Sequence, residues 1–106
     1  MKNKTNLIDG YYNIVLDLNT RKLIVKNFLS CKTSVYKLCK TQTRLLLFLS
    51  DNFIKENAEI KKFVSYNNYN SVAAAIHNIN IKINEIYIKN IHKKGYLLVN
   101  KILVDY

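Results

Sequence analysis

The sequence contains no proline, no tryptophan and only two glycines. So few turn-forming residues argue against a loop-rich or disulfide-stapled module. The two cysteines, Cys31 and Cys39, form no CxxC motif, and the two histidines lie far from them, at His77 and His92. We therefore interpret both cysteines as thiols in a reducing compartment and predict neither a metal site nor a cofactor.

Long apolar runs are also absent. A run such as Leu45–Leu49 is far shorter than the roughly 20 residues that span a bilayer. The first residues lack the apolar stretch of a signal peptide. We therefore expect a cytoplasmic protein with no membrane span in this chain.

Acidic residues are scarce: 7 Asp and Glu stand against 17 Lys and Arg, for a formal charge of +10. Such a surplus in a folded domain is typical of a polyanionic partner, which is DNA, RNA or an anionic membrane. The chain is also rich in Lys, Asn, Ile and Tyr, which an A·T-rich genome alone would favour, so the charge supports a polyanionic partner without deciding it.

No motif of a known enzyme class is found in the sequence. The acidic residues are scattered, and the chain has no HExxH, GxSxG or glycine-rich phosphate loop. We predict that it is not an enzyme.

At 106 residues with 49% hydrophobic content, the chain predicts one domain over residues 1–106. Apolar alternation predicts strands within 11–27, with a turn at Asn19–Arg21, and again at Val35–Leu38. Together they form an N-terminal antiparallel sheet over about 11–39. Helices are expected at about 41–51, 57–65 and 71–85, and a C-terminal β-hairpin at about 86–99. The fold class is α+β.

The capping residues and inward faces of the helices follow from the same pattern. Thr41 or Thr43 is expected to cap the first helix and Asn57 the second. The second helix buries Ile60, Phe63 and Val64. The third helix has an apolar stripe with spacings of 4, 3 and 4, formed by Val72, Ile76, Ile79 and Ile83. Gly95 provides a positive φ in the hairpin turn.

Three stretches in this order resemble the OmpR/PhoB-type winged helix-turn-helix domain. Val35–Leu38 running into Leu45–Leu49 resembles the family's strand and leucine-rich first helix. Ser71–Ile83 resembles its recognition helix, and Ile88–Tyr96 resembles its wing, the hairpin that ends in Gly-Tyr. A DNA-binding domain that begins at Met1 is also similar to the arrangement in ToxR/CadC-like transcriptional regulators.

The resemblance implies a bacterial, nucleoid-associated transcription regulator that binds double-stranded DNA. Its helix 71–85 would read the major groove, and its wing would contact the minor groove and the backbone. Lys61, Lys62 and Lys101 are further candidate phosphate contacts. The candidate DNA-binding residues are Ser71, Ala73, Ala74, His77, Asn78, Ile81, Lys82, Lys89, His92, Lys93 and Lys94.

Two further partners are implied by the resemblance. The loop 65–70 lies where the family touches RNA polymerase, which makes Tyr66 and Tyr69 candidate partner-binding residues. The family also binds tandem half-sites, which implies a homodimer or tandem dimer on DNA. The family's recognition helix carries several arginines, whereas residues 71–85 carry none. The alternative is therefore a degenerate winged-helix interaction module that partners another regulator or RNA polymerase. Binding to RNA or a membrane surface by charge alone ranks last, because the basic residues form no single amphipathic helix.

Overall fold

The computed structural model describes residues 12–64 and 71–106. The predicted order of a sheet, three helices and a hairpin is confirmed, as is the α+β class. The elements are β1 Tyr12–Asp17, β2 Lys22–Asn27, β3 Lys32–Lys37, α1 Lys40–Leu49, α2 Asn57–Val64, α3 Ser71–Lys82, β4 Ile88–Ile91, β5 Gly95–Leu98 and β6 Leu103–Asp105.

Two turns of the same construction fold the first three strands into an antiparallel meander. In the first, Asp17 Oδ1 accepts hydrogen bonds from the backbone N–H groups of Asn19 and Thr20. Arg21 ends this turn with φ 55°. In the second, Asn27 Oδ1 does the same, and Cys31 closes the turn at φ 57°. The second turn places the start of β3 at Lys32, three residues before the predicted Val35.

The sheet contains a fourth strand that the sequence did not predict. Its order is β3-β2-β1-β6, and β6 pairs with β1 in parallel, with Val15 opposite Leu103 and Asp17 opposite Asp105. The predicted N-terminal antiparallel sheet is therefore confirmed in β1, β2 and β3, and β6 adds a parallel strand to it. Three residues are too few to show the apolar alternation of a strand, and β6 is extended because it pairs with the distant β1.

One hydrophobic cluster joins all these elements. The sheet contributes alternate residues from one face, and the helices contribute their apolar stripes. The largest side chains with no exposure, or almost none, are Leu16, Leu23, Val25, Leu45, Leu46, Leu49, Ile60, Ile79, Ile83, Ile86, Ile88 and Leu98. The sheet is thus packed on one face, whereas on the other face Val35 and Leu103 are exposed and Val15 and Ile24 are half-buried.

The start of α1 differs from the prediction. The N-cap is Cys39, rather than Thr41 or Thr43, and its thiol is exposed. Gln42 Oε1 accepts a hydrogen bond from the Cys39 backbone N–H at 3.1 Å, while Thr43 Oγ1 donates to the Cys39 carbonyl at 2.9 Å. Cysteine is a weak cap, and the side chains of Gln42 and Thr43 instead bond the backbone of the residue where the helix begins.

The other helix ends are also shifted. Asn57 is the first residue of α2 rather than its cap, and Glu59 Oε1 accepts the hydrogen bond of the Glu56 N–H at 3.1 Å. Phe63, predicted to be buried, is 44% exposed and stacks on Phe48 with 4.4 Å between ring centroids. α1 ends at Leu49 and α3 at Lys82, each earlier than predicted. None of the helices in residues 12–64 and 71–106 combines the length and apolar character needed to cross a bilayer.

Candidate nucleic-acid interface

The helix α3 presents one apolar and one open face, as its sequence spacing predicts. The inward stripe is confirmed, because Val72, Ile76, Ile79 and Ile83 are at most 4% exposed. The opposite face contains the exposed candidate residues Ala73, Ala74, His77, Asn78, Ile81 and Lys82. The imidazole of His77 and the amide of Asn78 are therefore accessible to a partner.

An asparagine fixes α3 to the hairpin that follows it. Asn80 Nδ2 donates to the Ile88 carbonyl at 3.0 Å, and Asn80 Oδ1 accepts from the Ile88 N–H at 2.8 Å. This pair of hydrogen bonds sets the position of β4 relative to the helix. In the sequence, Asn80 is only an amide beside an apolar stripe, and an asparagine exposed to solvent would show the same pattern.

The wing, consisting of β4, β5 and the turn between them, displays the basic residues of the C-terminal hairpin. Ile88 pairs with Leu98 at its base and Ile91 with Gly95 at its tip. Lys93 lies in the left-handed region at φ 60°, a conformation that favours glycine. His92, Lys93 and Lys94 are all exposed at the tip, and Lys89 is exposed along β4.

A third segment, at Lys55, completes the wing sheet. Lys55 N donates to Tyr96 O and Tyr96 N donates to Lys55 O, each at 2.9 Å. Gly95 makes this approach possible: its φ is 129°, and a Cβ atom there would lie 2.0 Å from the Lys55 carbonyl oxygen. The predicted positive φ at Gly95 is confirmed, and the contact with Lys55 is a second reason for glycine.

The side chain of Lys55 is buried beneath the wing, and the residue is only 8% exposed. Its Nζ lies 2.7 Å from both carboxylate oxygens of Asp51 and 5.3 Å from the centre of the Phe48 ring. Burial raises the pKa of Asp51, but hydrogen bonds from the Lys55 ammonium and the Phe53 N–H outweigh it and hold that pKa below its usual value. The lysine is thus a structural group rather than a ligand-binding one.

Two more asparagines brace the base of the wing. Asn100 is 2% exposed, and its side chain accepts from the Tyr87 N–H and donates to the Glu85 carbonyl. Asn52 Nδ2 donates to the carbonyls of Leu98 and Asn100, at 2.8 Å each. The wing is therefore held by amide side chains at its base and by backbone pairing near its tip.

The charges around α3 leave its open face free of acidic groups. Residues 71–84 contain no Asp or Glu, and the next carboxylate, Glu85, accepts a hydrogen bond from the Tyr36 hydroxyl at 2.7 Å. Burial and the hydrogen bond to Glu85 together raise the pKa of Tyr36 to about 12. A carboxylate does lie near the wing, because Glu56 shares a groove with Lys93 and Lys94.

Lys82 differs from the other candidates on α3, because its ammonium has a partner within the protein. Nζ donates to the Lys37 carbonyl and lies 3.5 Å from Gln42 Oε1. The lysine therefore links the end of α3 to the sheet. It remains exposed on the open face, but its ammonium is already bonded within the protein.

The remaining candidates are spread over other surfaces. Lys62 and Lys101 are exposed, and Lys61 is half-buried. Ser71 is the first residue of α3, whereas Tyr66 and Tyr69 lie outside the described residues. Cys31 and Cys39 are free and exposed. Within residues 12–64 and 71–106, no group of three or more His, Cys, Asp or Glu side chains is arranged to hold a metal ion.

Three helices with α3 against the core, followed by a two-stranded hairpin braced on Lys55, define the architecture. The fold is a winged helix-turn-helix. The crystal structure of the DNA-binding domain of Bacillus subtilis CssR matches it with a TM-score of 0.65 and 15% sequence identity, over 82% of this chain and 100% of that one. No family model matches the sequence, and no curated protein matches it. At 15% identity the likeness is one of fold.

Proposed function

We propose that this chain binds double-stranded DNA as a bacterial transcription regulator, with α3 in the major groove and the wing on the minor groove and backbone. The observation that carries this proposal is the open face of α3, which has no acidic residue and lies beside a wing tipped with basic residues. The fold supports it, because the CssR domain with the same fold is named as a DNA-binding domain. The major groove is wide enough to admit one helix.

The side chains on α3 suit contacts with A·T pairs. The Asn78 amide has the donor and acceptor that bind N6 and N7 of adenine together. The methyl groups of Ala73 and Ala74 are small enough to approach thymine methyls. Because the described face contains no arginine and the Lys82 ammonium is bonded within the protein, the bidentate contact to guanine is not available from α3. We therefore propose an A·T-rich target.

The wing would supply affinity rather than sequence choice. His92, Lys93 and Lys94 project from its tip, and Lys89 from β4. Lysine binds phosphate as a point charge, and each phosphate neutralised releases counterions. Binding through these residues is therefore expected to weaken steeply as salt rises.

Reversing the charge at the wing tip tests the backbone contacts. We expect Lys93→Glu with Lys94→Glu to weaken binding to every sequence and to lower the slope of log affinity against log salt by about 2, since each phosphate contact contributes about 0.9. The matched control reverses two exposed sheet lysines, Lys26→Glu with Lys32→Glu, for the same change in net charge. Equal loss in both double variants would show that total charge, and not the wing, determines binding.

Replacing the candidate base-reading amide tests the role of α3. Asn78→Ala is expected to change which sequences are enriched from a random duplex library, with a cost of about 1–3 kcal/mol at the affected base pair. Its salt slope should match that of the wild type, because no phosphate contact is lost. The same preferred sequence for both proteins would contradict the proposed placement of α3 in the major groove.

The second candidate function is a winged-helix interaction module that has lost base reading and partners another regulator or RNA polymerase. Two observations favour it: α3 contains no arginine, and Ile81 on its open face is 66% exposed. An exposed isoleucine beside alanines suits a protein partner as well as a thymine methyl. Capture of RNA polymerase by the purified chain, together with no footprint on any enriched duplex, would favour this function over DNA reading.

A further inference from the structure

The solvent face of the four-stranded sheet contains an apolar row that crosses every strand. Val35 on β3 is paired with Ile24 on β2, Ile24 with Val15 on β1, and Val15 with Leu103 on β6. These four residues, the apolar row, alternate with the core residues and therefore lie on the face opposite the core. Val35 is 55% exposed and Leu103 is 63% exposed.

A charged row lies beside the apolar row, two residues along each strand. From β3 to β6 it consists of Lys37, Lys22, Asp17 and Asp105, and each is the registered partner of the next. The two lysines are thus neighbours, and so are the two aspartates. Like charges directly opposite each other on paired strands are destabilising. In the middle of the row, Lys22 lies opposite Asp17, whose Oδ1 also accepts hydrogen bonds in its turn, but within the described residues no ion pair joins either lysine to either aspartate.

We propose that this face is the contact surface for a second copy of the chain, stacked sheet against sheet. A two-fold axis parallel to the strands, over the boundary between β1 and β2, exchanges β3 with β6 and β2 with β1. Lys37 of each copy then lies over Asp105 of the other, and Lys22 over Asp17. Face-to-face sheets pack about 10 Å apart, with side chains of the two layers in contact.

The same rotation also aligns the apolar rows. Ile24 of each copy meets Val15 of the other, and Val35 meets Leu103. The pattern is self-complementary because β3 and β2 carry the lysines, β1 and β6 carry the aspartates, and both halves carry apolar residues in the apolar row. A two-fold contact requires a patch of this kind, in which residue i meets residue j and j meets i. This argument favours a second copy over an unrelated partner, and it is independent of the proposed function.

The size of the face sets the expected strength. A third row on this face consists of Asn13, Lys26 and Thr33. Four strands about 4.8 Å apart and three rows of side chains give a face of about 19 by 20 Å. This is smaller than the roughly 800 Å² per partner that stable complexes bury. We therefore expect a weak dimer whose population rises with concentration.

Charge exchange at the outer pair tests the proposal. Sedimentation equilibrium of the 106-residue chain from about 5 to about 500 µM should show a monomer–dimer equilibrium. Lys37→Glu and Asp105→Lys should each raise the dissociation constant about tenfold or more, because each places like charges together twice per dimer. An equimolar mixture of the two variants should regain wild-type association, since each then presents the charge that the other lacks.

Lys32→Glu is the matched control, because Lys32 lies on the same strand as Lys37 but on the other face. It should leave the dissociation constant unchanged, and circular dichroism should show all variants folded. A monomer at every concentration would overturn the proposal. So would a dimer that is unaffected by Lys37→Glu and Asp105→Lys, or a mixture of the two that stays dissociated.

Discussion

Replacing Gly95 with alanine perturbs the wing at the position where the chain has least room. The residue has φ 129°, and the added Cβ would lie 2.0 Å from the Lys55 carbonyl oxygen and 2.9 Å from the Glu56 Cα. These neighbours are backbone atoms, so no side chain can rotate away to make space. We expect the wing to separate from Lys55 in the Gly95→Ala variant.

The magnitude follows from the two costs that the substitution imposes. Holding a non-glycine residue in this conformation costs about 1–3 kcal/mol. Separation breaks the two hydrogen bonds between Lys55 and Tyr96, each worth about 0.5–1.5 kcal/mol. Alanine returns about 0.4–1 kcal/mol by restricting the unfolded chain. The net loss is about 1–5.5 kcal/mol, a substantial share of the roughly 5–15 kcal/mol that stabilises a native domain.

Urea denaturation followed by circular dichroism measures this loss. With a slope of about 1–1.5 kcal/mol per molar, the midpoint should fall by about 0.7 M or more. Lys93→Gly is the control in the same turn, because Lys93 lies at φ 60° and meets no such contact; it should change stability by less than about 1 kcal/mol. A Gly95→Ala midpoint within experimental error of the wild type would refute the steric argument.

The other predictions concern the contacts that hold α3 and the sheet. Asn80→Ala should cost about 2–3 kcal/mol, because it leaves the Ile88 N–H and carbonyl without their bonds, whereas exposed Asn78→Ala should stay within about 0.5 kcal/mol in the same denaturation assay. Tyr36→Phe should cost about 1 kcal/mol at neutral pH by removing the bond to Glu85. Since the pKa of Tyr36 is raised from 10.0 to about 12, its contribution is full below pH 10 and is lost as the pH rises towards 12. The stability difference between wild type and Tyr36→Phe, measured across that range, should therefore shrink, and a constant difference would contradict the assignment.

The features predicted correctly from sequence depend on local patterns. The stripe from Val72 to Ile83 repeats at the helical period, so its inward face follows from spacing alone. Gly95 between two basic residues and a tyrosine signals a turn that needs positive φ. Both patterns are complete within a dozen residues, and neither needs knowledge of a distant segment.

The features missed depend on distant partners or on polar residues with more than one role. Leu103–Asp105 becomes a strand only beside β1, and Lys55 pairs with Tyr96 across 41 positions of sequence. The sequence does not distinguish Asn80 and Asn100 from solvent-exposed asparagines. Their roles depend on hydrogen bonds to the backbone of Ile88 and Tyr87, which only the fold brings close. For the residues proposed to bind DNA, sequence and fold together indicate a face, whereas the contacts themselves depend on the partner.

The two edges of the main sheet differ in how they are protected against aggregation. Among the described residues no strand pairs with the outer edge of β3, and a lysine at each end of that strand, Lys32 and Lys37, discourages another strand from adding there. The opposite edge of the meander is covered by β6, a strand of only three residues. Proteolytic loss of residues 103–106 would uncover the backbone groups of Val15–Asp17 beside an apolar surface. We therefore expect preparations trimmed of these residues to form β-rich assemblies sooner than whole ones.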